Sequence, residues 1–166
     1  MNLKTALLFI TIFFLSLTGI AFLIFRSETK TNPKPTPQQA IKITIPEKSF
    51  SWGDIPINGG KVRHTFTITN DDPQQPLTLF DVKTSCMCTT AYLEKNGQQS
   101  PLFGMHTKSS YQMTLQPHET AQLHVTFDPA YHGPQGLGPI TRFVTIKTNA
   151  TNQSELTFTL TATVRN

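Results

Sequence analysis

Short stretches in which apolar and polar residues alternate dominate the chain from Ala40 onwards. The alternation is cleanest near the C-terminus, where apolar residues face one way and threonines face the other. A period of two predicts strands that are buried on one face. The apolar positions that define these strands are Ile41, Ile43, Ile45, Val62, Phe66, Ile68, Leu77, Leu79, Met113, Leu115, Leu123, Val125, Phe127, Val144, Ile146, Leu156, Phe158, Leu160, Ala162 and Val164.

Turn signals rich in glycine, proline and asparagine separate these segments, and no part of the domain shows sustained helical periodicity. About seven short strands with such turns are typical of an all-β, immunoglobulin-like sandwich. Two segments exceed what a minimal sandwich needs. We predict that Leu93–Ser110 and Pro129–Pro139 are long loops, and loops of this length are often functional.

The N-terminal part has a different character. Thr5–Phe25 is an uncharged apolar run, long enough to cross a bilayer as one helix. It predicts a transmembrane anchor within residues 1–26, with a cleaved signal peptide as the alternative reading. Residues 27–39 contain three prolines and no large apolar side chain, which predicts an extended stalk. Residues 40–166 then form the sandwich.

The charges that flank the apolar run and the layout of the chain point to opposite orientations of the domain. Lysines and an arginine after the apolar run would favour a cytoplasmic domain under the positive-inside rule. Long domains translocate largely regardless of flanking charge, and an N-terminal span followed by a proline-rich stalk is the usual layout of an exported domain. We therefore expect a single-pass membrane protein, anchored through residues 5–25, with an extracytoplasmic domain.

Composition and motifs exclude several function classes. Charged residues make up 14% of the chain and the formal net charge is +4, partly from residues beside the apolar run. This charge is too weak and too dispersed for a nucleic-acid surface. No nucleophile elbow, phosphate-binding loop or zinc-protease motif is present. We expect no enzymatic activity, and no small-molecule substrate follows from the sequence.

The chain has two cysteines, and they form the motif Cys86-Met87-Cys88. Cysteines at positions i and i+2 of an extended strand lie ~6.5–7 Å apart, at or beyond the limit for a disulfide. An internal disulfide would therefore require a bend. Three interpretations remain open: packed, unoxidised thiols, a redox-active or intermolecular disulfide, and a soft-metal site.

The metal interpretation needs further ligands. Thiolate and thioether ligands select Cu(I), so Met105 and His106 in the long loop are the first candidates. His132 and Met113 come after them. The candidate metal site is thus Cys86, Cys88, Met105 and His106, with copper as the alternative to no cofactor.

A series of sequence blocks carries a resemblance to a known family: Phe50–Ile55, Gly59–Val62, His64–Asn70, Pro76-Leu77, Asp81–Thr89, Val125–Asp128 and Ile146–Asn149. In this order they resemble DUF1573, a family of bacterial immunoglobulin-like domains of unknown function. The resemblance extends over about Ser49–Val164. It implies an exported or membrane-tethered sandwich with a binding or scaffolding role.

The chain departs from the family pattern at two points. Family members usually carry glycine between the two cysteines, where this chain has Met87, and the loop Leu93–Ser110 is longer than in short members. We expect a membrane-tethered binding or scaffolding module that contacts another envelope protein. The alternative is a Cu(I)-binding or thiol-redox module that uses the Cys-Met-Cys motif.

Overall fold

The computed structural model describes Asn2, Pro35, Pro37 and residues 40–166. The predicted anchor and most of the predicted stalk lie outside the described residues. The β-strands of the described residues all belong to one compact unit, Asn32–Asn166. Among the residues that the structure describes, no helix is long and apolar enough to cross a membrane.

The predicted all-β sandwich is confirmed, and the described residues form ten strands instead of about seven. One sheet has the order β1-β3-β8-β5-β6 and the other has the order β2-β10-β9-β4-β7. In chain order the strands are β1 (Ile43–Thr44), β2 (Ser49–Pro56), β3 (Val62–Asn70), β4 (Leu77–Thr84), β5 (Thr89–Lys95), β6 (Gln98–Gln99), β7 (Gln112–Leu115), β8 (Thr120–Phe127), β9 (Gly138–Thr148) and β10 (Glu155–Arg165).

Register follows from the alternation that the sequence shows. On β10, Leu156, Phe158 and Leu160 are fully buried between the sheets, and the intervening threonines lie on the other face. A shift by one residue would expose this whole row, so burial of the row fixes the pairing. β10 pairs antiparallel with β9 and parallel with β2, where Thr159 lies opposite Ser49 and Arg165 opposite Pro56.

Two buried asparagines close one end of the sandwich. The Asn70 side chain donates hydrogen bonds to the carbonyls of Gln75 and Leu115, both at 2.9 Å. The Asn149 side chain joins the start of β4 to the end of β9. Both asparagines are almost fully buried, so these bonds satisfy backbone groups that cannot reach water.

The prediction that Leu93–Ser110 is one polar loop is wrong. Leu93 lies within β5 and is fully buried, and β6 falls inside the same segment. Phe103 is 1% exposed and exchanges two backbone hydrogen bonds with Ala91, at 2.9 and 2.7 Å. Leu93 and Phe103 belong to the main core, but the polar residues around them give the segment the composition of a loop.

Candidate functional site

The Cys86-Met87-Cys88 motif forms the turn at which the chain crosses from one sheet to the other. β4 ends at Thr84, which pairs with Val144 in the second sheet. β5 begins at Thr89, which pairs with Phe127 in the first sheet. The motif therefore lies at one end of the sandwich and bridges its two layers.

The motif has the bend that an internal disulfide requires, and the reason for the bend is local. Thr89 N donates a hydrogen bond to Cys86 O at 3.1 Å, which closes a four-residue turn. The Thr84 hydroxyl lies within hydrogen-bond distance of the carbonyl oxygens of Cys86 and Thr89, at 3.0 and 2.9 Å. The turn brings the two cysteine Cα atoms to 5.3 Å, and the sulfurs form a disulfide.

Met87 does not require the conformational freedom of glycine. The positive-φ residues other than glycine among the described residues are Asp81, Asn96 and His118, so Met87 lies outside the left-handed region. A turn with negative φ at its central positions accepts most side chains. The departure from the family glycine at this position is therefore compatible with the disulfide.

The two cysteines differ in exposure. Cys88 is 3% exposed and packs in a small apolar cluster with Phe127 and Val164. Cys86 is half-buried at the edge of the same cluster. Met87, between them, is 55% exposed. An external reagent can therefore reach Cys86 more readily than Cys88.

His132 approaches the disulfide from the loop that follows β8. Its Nε2 atom lies 3.3 Å from Cys86 Sγ. Asp128 N donates to Cys88 O at 2.9 Å, which fixes the start of this loop against the turn. A short 3-10 helix, Gly133–Gly136, comes directly after His132.

Arg142 reaches the other sulfur from β9. Its Nε donates to Cys88 Sγ at 3.1 Å, and its Nη1 donates to Thr141 O at 2.8 Å. The guanidinium carbon lies 5.6 Å from the centre of the Phe127 ring, within cation–π range. Burial lowers the pKa of Arg142, and none of the ion pairs among the described residues includes this arginine.

Sequence reasoning missed Arg142, although the sequence holds a signal for it. Ile140, Arg142, Val144 and Ile146 share one face of β9, and Val144 and Ile146 are fully buried. A charged residue on the inward face of a strand is uncommon unless it has a partner. Here that partner is a sulfur atom.

Ligand atoms of Cys86, Cys88 and His132 all lie within 4.8 Å of one another. Such a set can bind a soft metal once both cysteines are reduced to thiolates. His106 is not part of this group. Met105 and His106 lie in the turn after Phe103, where Met105 is 43% exposed. Their role as metal ligands stays a prediction.

A pocket of about 260 Å³ lies beside the disulfide, on the side of Cys88. Lys61, Met87 and Tyr131 are among its lining residues. Tyr131 is 47% exposed, so two large apolar side chains face solvent at this end of the sandwich. Exposed apolar groups around a pocket are typical of a surface that binds another molecule.

A comparison with protein families agrees with the resemblance seen in the sequence. The model of DUF1573, described as a protein of unknown function, matches residues 43–100. This confirms the resemblance there. The rest of the predicted resemblance, up to Val164, lies outside the matched range. No curated protein matches the chain.

Among solved structures, the chain is similar to a protein of unknown function from Porphyromonas gingivalis W83, with a TM-score of 0.58 and 17% identity. That match covers 80% of this chain and 50% of the other, so the chain spans half the length of that protein. This likeness supports the fold alone.

Two further solved structures resemble the chain more weakly, with TM-scores below 0.5. The PapD-like domain 7 of human CEP192 matches with a TM-score of 0.44 and 14% identity, over 85% of this chain and 96% of that one. The E. coli chaperone DraB matches with a TM-score of 0.42 and 12% identity, over 77% and 57%.

Proposed function

On the premise that residues 43–100 match the DUF1573 family, we propose that this chain is a membrane-tethered, extracytoplasmic binding or scaffolding module without enzymatic activity. The apolar run Thr5–Phe25 and the proline-rich segment after it support the tether. The β-sandwich supports the binding role, since sandwiches commonly present loops at their ends to partners.

One observation carries the binding role. Met87 and Tyr131 are 55% and 47% exposed and line the pocket beside the disulfide. The partner would be another envelope protein that inserts an apolar side chain between them. Lys61 and Asp128 line the same pocket and pair with each other at 3.8 Å, so the polar part of the surface offers one charge of each sign to a partner.

Site-specific photocrosslinking in intact cells tests this proposal. A photoreactive phenylalanine at Met87 should give a discrete crosslinked species with one envelope protein. The same residue at Leu102, which is 60% exposed and does not line the pocket, is the matched control. Identical crosslink patterns from both positions would contradict a binding surface at the disulfide.

Protease treatment of spheroplasts tests the location of the domain. An extracytoplasmic domain should be digested without lysis of the inner membrane. The tether should keep the full chain in the membrane fraction after washing with high salt. Protection of the domain until lysis would overturn the proposed orientation.

A second candidate function, a thiol-redox or Cu(I)-binding module, is favoured by the contact of Cys86 Sγ with His132 Nε2 at 3.3 Å. Thiol titration of the full chain should find no free thiol before reduction and two after it. Metal analysis of the reduced chain then distinguishes a Cu(I)-binding module from a thiol-redox module. Stoichiometric copper that is lost in Cys86→Ser would favour the metal site, and its absence would favour redox chemistry.

A further inference from the structure

From the surroundings of the two sulfurs we propose that the Cys86–Cys88 disulfide exchanges with a dithiol of a partner protein. In this exchange Cys86 is the attacked sulfur, and Cys88 is the leaving thiolate, stabilised by Arg142. This inference rests on the second candidate function and deepens it: it assigns the substrate class, the direction of attack and the role of an arginine.

Access decides which sulfur is attacked. Thiol–disulfide exchange proceeds by attack of a thiolate on one sulfur, while the other sulfur leaves. Cys88 is 3% exposed and covered by the apolar cluster that contains Phe127, whereas Cys86 lies at the cluster's edge next to the exposed Met87. Cys86 is the more exposed of the two residues, so a protein thiol reaches Cys86 Sγ more readily than Cys88 Sγ, although Cys88 also lines the pocket beside the disulfide.

Arg142 is in position to stabilise the leaving thiolate of Cys88. When the disulfide breaks, negative charge develops on Cys88 Sγ, and Arg142 Nε already donates to this atom at 3.1 Å. A hydrogen bond from a charged donor is stronger than a neutral one, and partial burial strengthens it further. No carboxylate in the described part of the chain forms an ion pair with Arg142, so none competes for its charge.

His132 lies close enough to Cys86 Sγ to take part in proton transfer there. Its Nε2 lies 3.3 Å from Cys86 Sγ, the atom that the incoming thiol must reach. An imidazole nitrogen at this distance can exchange a proton with a thiol at Cys86 Sγ. Cys88 N also donates to Cys86 Sγ at 3.3 Å, which stabilises a thiolate on Cys86 after exchange.

The reaction has two balanced steps. First, a partner thiolate attacks Cys86 Sγ; the intermolecular disulfide forms, the bond between Cys86 and Cys88 breaks, and its electron pair leaves on Cys88. Second, the partner's other thiolate attacks its own sulfur in that intermolecular bond, and the electron pair leaves on Cys86. The partner dithiol is oxidised to a disulfide, this chain gains two electrons, and the partner's protons pass to the new thiolates or to solvent.

Two observations favour exchange over the rival roles of the motif. A disulfide with one intervening residue closes too small a ring to restrict the unfolded chain much, so a purely stabilising role is weak. A guanidinium that already donates to Cys88 Sγ disfavours a metal cation at the same atom, because like charges repel.

The direction of attack can be read in the wild-type chain. The oxidised full chain, in mild detergent, is exposed briefly to reduced glutathione and quenched with N-ethylmaleimide. Tandem mass spectrometry of the peptide that contains both cysteines should place glutathione on Cys86 and maleimide on Cys88. Glutathione on Cys88, or an even distribution, would overturn the assigned direction.

The role of Arg142 is tested by the rate at which dithiothreitol reduces the full chain. Arg142→Gln keeps a donor and removes the charge, and it should slow reduction at least about tenfold. Arg142→Lys keeps the charge but loses the planar group over Phe127, so its rate should lie between those of wild type and Arg142→Gln. Arg63→Gln, an exposed arginine, is the matched control and should keep the wild-type rate.

The outcomes separate the two levels of the proposal. A wild-type disulfide that resists both glutathione and dithiothreitol would overturn the redox function and with it this inference. Normal exchange with an unchanged rate in Arg142→Gln would overturn only the role of Arg142. Because the glutathione mapping uses the wild-type chain, the direction of attack stays testable even if a variant misfolds.

Discussion

The side-chain oxygen of Asn149 accepts a hydrogen bond from Thr78 N at 2.8 Å, across 71 residues of sequence. The amide nitrogen of Asn149 donates to Pro76 O at 3.1 Å, so this side chain replaces a stretch of β-ladder at the point where β4 starts. Asn149 is 4% exposed, and water cannot substitute for either bond.

Asn149→Ala should lower the free energy of unfolding by about 2 kcal/mol or more, because it leaves buried backbone groups without partners. Chemical denaturation of the purified chain measures this difference. Asn58→Ala, at an exposed turn position, is the control and should change stability by less than about 0.5 kcal/mol. Equal effects of the two substitutions would contradict the role of Asn149.

Phe103→Ala should lower the free energy of unfolding by about 3 kcal/mol, because it removes a fully buried ring and leaves a cavity in the main core. Its neighbour Leu102 is 60% exposed, so Leu102→Ala should be nearly neutral. Thermal or denaturant unfolding of the two variants gives the comparison. A neutral Phe103→Ala would show that the segment around it is a dispensable loop.

Acid should weaken the contact between Asp81 and Lys147, whose charged atoms lie 2.7 Å apart. The hydrogen bond from Lys147, followed by that from Lys83, holds the pKa of Asp81 below its usual value, against an opposing effect of burial. Because the folded pKa is depressed, ionised Asp81 stabilises the fold above the unfolded-state pKa of ~3.9. That contribution is lost as pH falls through the folded value.

Asp81→Asn should therefore reduce stability by about 0.5–1 kcal/mol near pH 7, and the difference from wild type should shrink toward about pH 2. Asparagine tolerates the left-handed backbone at this position, where φ is 49°, so the substitution tests the charge. Asp54→Asn, in an exposed ion pair with Arg165, is the control. A pH-independent difference at Asp81 would exclude the electrostatic cause.

Met87→Gly should leave the disulfide intact and lower stability by about 0.5–1 kcal/mol relative to Met87→Ala. The reason is that Met87 does not use a glycine-only conformation, so glycine adds freedom to the unfolded chain and gives nothing to the folded one. Denaturation midpoints and thiol titration measure the two effects. A stabilising Met87→Gly would show that the turn strains its central residue.

The sequence predicts the long strands that have one buried face, and the structure confirms them, whereas the predicted strand at Ile41, Ile43 and Ile45 is reduced to Ile43–Thr44. Val62, Phe66 and Ile68 on β3 and the row on β10 are visible because burial imposes a period of two. The same pattern does not reveal β5. Leu93 has few large apolar neighbours in sequence, and the apolar residue that completes this part of the core, Phe103, lies beyond a turn.

The candidate site is predictable only in part. The cysteines stand out by composition, but the conformation between them depends on hydrogen bonds from Thr84 and Thr89 that no local pattern reveals. His132 lies 46 residues from Cys86, and its contact depends on the path of the loop after β8. Arg142 meets Cys88 because β9 pairs beside β4, a long-range relation that residue spacing alone does not contain.

The parallel pairing of β2 with β10 has a mechanical consequence. A load applied between the segment before Ser49 and the end of β10 at Arg165 pulls these two neighbouring strands in opposite directions along their axes. All hydrogen bonds of the pair are then loaded together in shear, whereas strands pulled apart from one end break their bonds one at a time. If residues before β2 hold the domain to a fixed surface, the sandwich resists a pull on its last strand as a clamp.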